Sequence, residues 1–218
     1  MTDFPKNLID GYRSFAANRL PAEQSRYREL SEYGQSPETL VIGCCDSRVS
    51  PEVIFDAGPG ELFVIRNVAN LVPPYTPDGA ARAVSAALEF AVQVLKVKHI
   101  VVLGHAQCGG IRAFAEETAP LSPGDFIGKW MELMEPEAKE IGPRGDMSKQ
   151  QFLAKLERAA VKRSLENLMT FPCVKILVER GKLKLHGAFF GVAQGSLSLR
   201  DPQTGEFHDV GAAADAKA

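Results

Sequence analysis

An α/β fold with a mostly parallel central β-sheet flanked by helices is predicted for this chain, and three observations predict it. Short β-branched apolar runs recur at Thr39-Leu40-Val41-Ile42-Gly43, at Glu61 to Arg66 and at His99 to Gly104. Helical periodicity fills the stretches between them, and two of the runs end directly on clusters of Cys, His and Asp. Strands that alternate with helices close as parallel neighbours through right-handed crossovers, and the loops at their carboxyl ends converge on one crevice. The 218 residues fit a single domain, because one core grows to roughly 250–300 residues before it splits.

Each element follows from its own pattern. Residues 1–33 form an N-terminal helical arm, with Leu8, Ile9, Tyr12 and Phe15 at helical spacing ahead of a stretch rich in Arg and Glu, too little apolar surface for a core of its own. The first strand stops on Gly43, just before Cys44-Cys45-Asp46-Ser47-Arg48. The turn Gly58-Pro59-Gly60 introduces the second strand, and the third delivers His105. Between these two, Asp78 is placed to cap a helix that carries Val84, Leu88, Ala91 and Leu95 on one face. Residues 111–146 read as helix broken by Pro120, Pro123, Pro136 and Pro143, and they hold the only tryptophan, Trp130. Ser148 with Gln151 makes a capping box for a long helix running to about Met169. Lys182–Val192 and Ser196–Leu199, joined around Gly195, read as C-terminal antiparallel strands, and 211–218 as a disordered tail.

Composition narrows the partners. The net charge is −2, from 25 basic and 27 acidic residues spread along the chain, so no strong field draws it to nucleic acid or an anionic membrane. No apolar run approaches the ~18 residues of a membrane span. The opening Met1-Thr2-Asp3-Phe4-Pro5 lacks the basic and apolar segments of a secretory signal, so a cytoplasmic location is expected. Four cysteines are too few for a disulfide framework; in a reducing compartment Cys and His clustered at strand ends point to a metal.

Cys44, His105 and Cys108 offer Zn²⁺ two thiolates and one imidazole and leave a tetrahedral position open, the donor pattern of a catalytic zinc. Two thiolates neutralise the ion and weaken it as an acid. Asp46 can accept a hydrogen bond from zinc-bound hydroxide, and Arg48 can keep Asp46 ionised and aimed; the expected bound water then has a pKa near ~7. The alternative for the three ligands is a closed structural site with Asp46 or Cys45 as fourth donor, although structural sites favour four Cys or His ligands. Cys45 itself reads as shielded packing, Cys173 as a small buried hydrophobe, and His99, His186 and His208 as structural or surface residues.

Cys44-x-Asp46-x-Arg48 followed by His105-x-x-Cys108-Gly109-Gly110 resembles the paired signature of the β-carbonic anhydrases. The block Phe63-Val64-Ile65-Arg66-Asn67-Val68-Ala69-Asn70 and the run Ser164-Leu165-x-Asn167-Leu168-x-Thr170-x-Pro172 match the same family, so the likeness extends from about Tyr33 to Gly195. The resemblance implies reversible hydration of carbon dioxide to bicarbonate by hydroxide on a single zinc per subunit, held by Cys44, His105 and Cys108. It also implies a pocket in which Gln35 donates its amide to a substrate oxygen and Phe63, Val68 and Phe90 form apolar walls. Phe90 stands where relatives often carry Tyr, so any role of that hydroxyl is absent here or taken over by another group. Gly109 and Gly110 supply backbone amides near the second thiolate, or start a helix. The family pattern builds each pocket from two chains, with the N-terminal helix embracing the partner, so a homodimer, or a homotetramer formed by pairing of two dimers, is expected. One subset of the family binds bicarbonate at a noncatalytic site through a Trp and a Tyr; here those positions hold Val41 and Phe190, leaving only Arg66, so no such switch is expected. The rival readings are a hydrolase of carbon disulfide or carbonyl sulfide on the same fold, and a zinc-binding regulatory protein without turnover.

Overall fold

The computed structural model describes residues 3–211. Its centre is a six-stranded sheet in the order β2-β1-β3-β4-β5-β6. β1 (Thr39–Cys44), β2 (Leu62–Asn67), β3 (His99–His105) and β4 (Lys184–Gly191) are parallel, while β5 (Ser196–Arg200) and β6 (Phe207–Asp209) continue the sheet antiparallel. The parallel strands β1, β2 and β3 and the antiparallel β4–β5 pair follow the sequence pattern, whereas the parallel pairing of β4 with β3 is a finding of the structure. β6 does not follow that pattern either: Phe207-His208-Asp209 is too short and too polar to show periodicity, and it forms because Arg200 and Leu199 of β5 offer it an open edge.

β1 is buried from Leu40 through Cys44, the pattern of a strand covered on both faces. One face carries Leu40, Ile42, Ile100 and Val102, packed under α4 (Ala83–Glu89), α8 (Lys149–Leu168) and α9 (Pro172–Glu179) through Leu88, Val161, Leu168 and Val174. The opposite face carries Val41, Leu103 and Ala188 against Ile54 of α3 (Pro51–Ile54) and Phe55. The arm consists of α1 (Lys6–Ser14) and α2 (Leu20–Tyr33), joined through a wider turn at Phe15–Arg19, and none of these residues is buried. Residues 109–141 supply α5 (Gly109–Ala115), α6 (Phe126–Met131) and α7 (Glu135–Ile141). Among the described residues no helix is long and apolar enough to cross a membrane.

Two caps differ in outcome. Ser148 accepts from the Gln151 amide at 3.2 Å while the Gln151 side chain accepts from the Ser148 amide at 2.9 Å, a reciprocal box that starts α8. Asp78 does not cap α4. It lies too far upstream, binds the Ala80 amide at 3.1 Å and pairs with Arg82, whose extended backbone precedes the helix. The predicted tail lies, from residue 212 onward, outside the described residues.

β3 and α8 meet where Gly104 faces Val161: a Cβ on Gly104 would stand 2.6 Å from Val161 Cγ2 and 3.3 Å from Phe189 Cδ2. Gly104→Ala is therefore expected to destabilise the fold by about 1–3 kcal/mol through overpacking. Adding Val161→Ala should recover part of that loss, so the pair falls short of the sum of the singles in chemical denaturation. Strict additivity would show that Val161 is not the obstructing group.

Candidate metal centre and active site

β1 and β3 are neighbours with Gly43 opposite Leu103, so Cys44 and His105 leave adjacent strand ends on the same side of the molecule. The chain then turns back through Gln107, whose φ of +57° lies in the left-handed region, and this reversal brings Cys108 beside Cys44. The two Sγ atoms are 4.0 Å apart, and with a ring nitrogen of His105 the three donor atoms lie within 4.8 Å of one another, all buried.

The donors are prepared for a metal. His105 Nδ1 bonds the Ala106 carbonyl at 2.9 Å, which fixes Nδ1–H and leaves Nε2 as the lone-pair nitrogen; Nε2 is buried without a partner. Cys44 Sγ accepts the Ala69 amide at 3.4 Å, and the nearby amides of Gly110 and Ile111 at the start of α5 act to lower the Cys108 pKa. The thiols share one proton: the hydrogen bond from Cys108 pulls the Cys44 pKa down, and the same bond pushes that of Cys108 up. Burial opposes charge on His105, but the Cys44 thiolate outweighs it and raises the ring's pKa. A buried thiolate, a second thiol and an unsatisfied imidazole nitrogen converging on one point fit a divalent, thiophilic ion, and three ligands leave it an open position.

Asp46 is not a fourth donor. Arg48 Nε reaches Asp46 Oδ1 at 2.9 Å and Nη2 reaches Oδ2 at 2.7 Å, a two-pronged pair reinforced by the Arg48 amide at 3.0 Å. These bonds hold the Asp46 carboxyl well below the usual carboxylate range. Arg48 is anchored to the other loop as well, through the Gln107 carbonyl at 3.1 Å. Cys45 is exposed and outside the metal cluster, so the reading of it as shielded packing is corrected: β1 alternation turns Cys44 inward and Cys45 toward a groove.

The other candidates divide. Val68 packs against the cluster of Cys44 and Cys108, and Gly109 begins α5 beside Cys108 on the exposed side. Gly110 is the tighter position, because a Cβ there would lie 2.5 Å from Val68 Cγ1. Gln35 is exposed on the loop before β1, and Phe63 and Phe90 pair at 6.0 Å between ring centroids, with Phe63 on the core under α4. Neither Phe63 nor Phe90 is in the apolar cluster that holds Val68, Cys44 and Cys108.

Three residues take roles at the site that the sequence does not show. Arg66 clamps the loop after β1, donating to the Cys44 carbonyl at 2.9 Å and the Asp46 carbonyl at 2.8 Å. Glu157 of α8 is buried, accepts the Cys108 amide at 3.0 Å, and has its pKa raised by burial. Trp130 donates to the Val68 carbonyl at 2.8 Å. A lone Glu within the apolar stripe of a capped helix was the one available signal for Glu157; nothing in the sequence marked the backbone partners of the other two.

With the geometry in place, the class is a zinc-type α/β lyase site, and the comparisons give the family. Residues 39–197 match the family described as carbonic anhydrase. A carbonic anhydrase of Pseudomonas aeruginosa is 37% identical over 202 residues, covering 93% of this chain and 90% of that protein. Beta carbonic anhydrase 3 of Arabidopsis thaliana is 36% identical over 201 residues, covering 90% and 77%. The solved β-carbonic anhydrase CcaA superposes with a TM-score of 0.87 at 28% identity, covering 94% of this chain and 91% of that one. The chain belongs to the β-class carbonic anhydrases, zinc enzymes that interconvert carbon dioxide and bicarbonate.

Glu157→Ala leaves the buried Cys108 amide without an acceptor, which is expected to cost about 1–3 kcal/mol of stability. Zinc affinity, read by chelator competition, should fall by about 10–100-fold. Unchanged zinc affinity would show that Glu157 supports α8 and not the ligand loop.

Proposed function

We propose that Cys44, His105 and Cys108 hold the zinc of this enzyme and that Asp46, fixed by Arg48, orients the attacking water for hydration of carbon dioxide. The observation that carries this reading is the two-pronged Asp46–Arg48 pair standing beside three buried, converging donors. Zinc, when bound, supplies a Lewis acid that brings the pKa of its water toward ~7. An ionised carboxylate can only accept hydrogen bonds, so Asp46 selects an incoming oxygen that still carries a proton and turns its lone pair toward the substrate carbon. Because its pKa is depressed, Asp46 keeps this charge above the ordinary carboxylate range and loses it only as pH falls through the lowered value. A rise of activity with pH near neutrality would therefore not belong to Asp46.

We read the active assembly as a homodimer or a homotetramer made of two such dimers. Support comes from an apolar groove of about 680 Å³ beside the site, lined by Val64, Val68, Val84, Ile127 and Trp130 along the open edge of β2. Phe126 at its rim is 83% exposed, and the arm presents Leu8 and Tyr12 to solvent. Phe63 and Phe90 of a second chain would then complete the apolar wall over Val68 and the amides at Gly109, and its Gln35 would offer an amide to a substrate oxygen. Free cysteines, two of them ligands, suit a reducing cytoplasm. The bicarbonate switch of the family's regulated subset is absent on this reading: Val41 and Phe190 share one apolar cluster, and Arg66 is committed to the Cys44 and Asp46 carbonyls.

In stopped-flow hydration assays Asp46→Asn is expected to lower kcat by about 10²-fold or more while zinc stays stoichiometric. Zinc-replete wild type without hydration would reject the enzyme reading. Bicarbonate should inhibit as a simple product, and sigmoidal pH-dependent inhibition would contradict the absence of a switch. Light scattering under assay conditions should find dimers or larger; an active monomer would sink the two-chain pocket.

A further inference from the structure

The peptide plane between Val68 and Ala69 has a partner at each end. Its N–H, on Ala69, points at Cys44 Sγ at 3.4 Å, and its carbonyl, on Val68, accepts the indole N–H of Trp130 at 2.8 Å. Indole, peptide and thiolate therefore form one chain of hydrogen bonds running from α6 to a metal ligand. A carbonyl that accepts a hydrogen bond polarises its own peptide, and the N–H at the other end becomes a stronger donor. A stronger donor to a thiolate draws charge off the sulfur.

The backbone at this point is held in place by its surroundings. Ala69 has φ +64° and Asn70 φ +51°, both left-handed, where residues with a side chain seldom rest. Ser164 donates to the Asn70 carbonyl at 2.9 Å and accepts the Val72 amide at 3.2 Å, while Asn67 bridges the amide and carbonyl of Leu71, each at 2.9 Å. Gly110 leaves no room behind Val68, since even a Cβ there would reach 2.5 Å from Val68 Cγ1. The turn is fenced on three sides, and the fourth is the tryptophan.

We propose that Trp130 is a positioning residue of the active site: through the Val68–Ala69 peptide its indole N–H sets the strength of the hydrogen bond received by Cys44. It thereby limits the negative charge that this sulfur gives the metal. This inference rests on the reading of Cys44 as a zinc ligand. It also answers the difficulty that two thiolates pose, because a ligand relieved of charge leaves the ion a better acid.

The test uses the full-length protein with cobalt(II) in place of zinc, where the thiolate-to-cobalt charge-transfer band reports the electron density on sulfur. Two changes remove the donor: Trp130→Phe, and biosynthetic replacement of the chain's single tryptophan by benzothienylalanine, which keeps the bicyclic ring with sulfur in place of N–H. Both should move the band to longer wavelength and lower kcat for hydration of carbon dioxide by about tenfold with KM little changed. Replacement by a ring-fluorinated tryptophan, a stronger donor of nearly the same shape, should move the band the other way. A band present in the unaltered protein but unmoved in the benzothienyl protein overturns the inference, even if Trp130→Phe fails to fold. Absence of any thiolate band in the unaltered cobalt protein overturns the ligand reading beneath it.

Discussion

The parallel ladder between β1 and β3 is the constraint on which the rest of this molecule depends. Cys44 ends one strand and His105 the other, and they face a common point only because Gly43 sits opposite Leu103. A slip of one residue would turn Cys44 to the other face of the sheet and bring the exposed Cys45 inward. Two features lock the register. Leu40, Ile42, Ile100 and Val102 are buried together on one face, so no shifted pairing keeps the core closed. The Ala106 amide also bonds the Phe190 carbonyl at 2.9 Å, which extends the β3–β4 ladder past the last strand residue and holds the chain straight until the turn at Gln107.

What the ladder brings together is a concentration of charge that an apolar interior would ordinarily reject. The sulfurs of Cys44 and Cys108 divide one proton, His105 leaves a nitrogen unsatisfied, and the buried carboxyl of Glu157 lies against the Cys108 amide. Directed donors serve the negative groups: Ala69 for Cys44 and Arg48 for Asp46. A divalent ion would replace the shared proton and satisfy the orphaned nitrogen at once, so metal binding and consolidation of this corner of the fold are the same event.

The strands and ligands were legible because they depend on periodicity and on residue type. β1, β2 and β3 follow from apolar runs ended by glycine or polar clusters, and α8 from a capping box whose two halves lie three residues apart. Arg66 and Trp130 were not legible in role, because both act on main-chain carbonyls, and a carbonyl partner leaves no trace in side-chain identity. Glu157 was hidden for a related reason: its partner is the Cys108 amide, 49 residues away in the chain. Asp78 misled because Asp before a helix is a frequent cap, whereas here an arginine four residues on competes for the carboxylate. Gln35, Phe63 and Phe90 carry no local signal of a pocket.

That division between residues has a physical logic. Groups that would hold a metal and aim a water must be fixed to within fractions of an ångström, and the candidates here sit on strand ends and a loop clamped by Arg48 and Arg66 within one chain. The walls of a pocket for a small nonpolar gas need only exclude water and present apolar surface, a task that tolerates the looser tolerances of an interface. An apolar groove left open beside Val68, next to a rigid set of donors, is what such a division would leave on each subunit. Assembly would then control the dryness of the site without disturbing the geometry of its ligands. On this argument disruption of the interface should depress turnover while leaving the ligands, their hydrogen bonds and the Asp46–Arg48 pair intact.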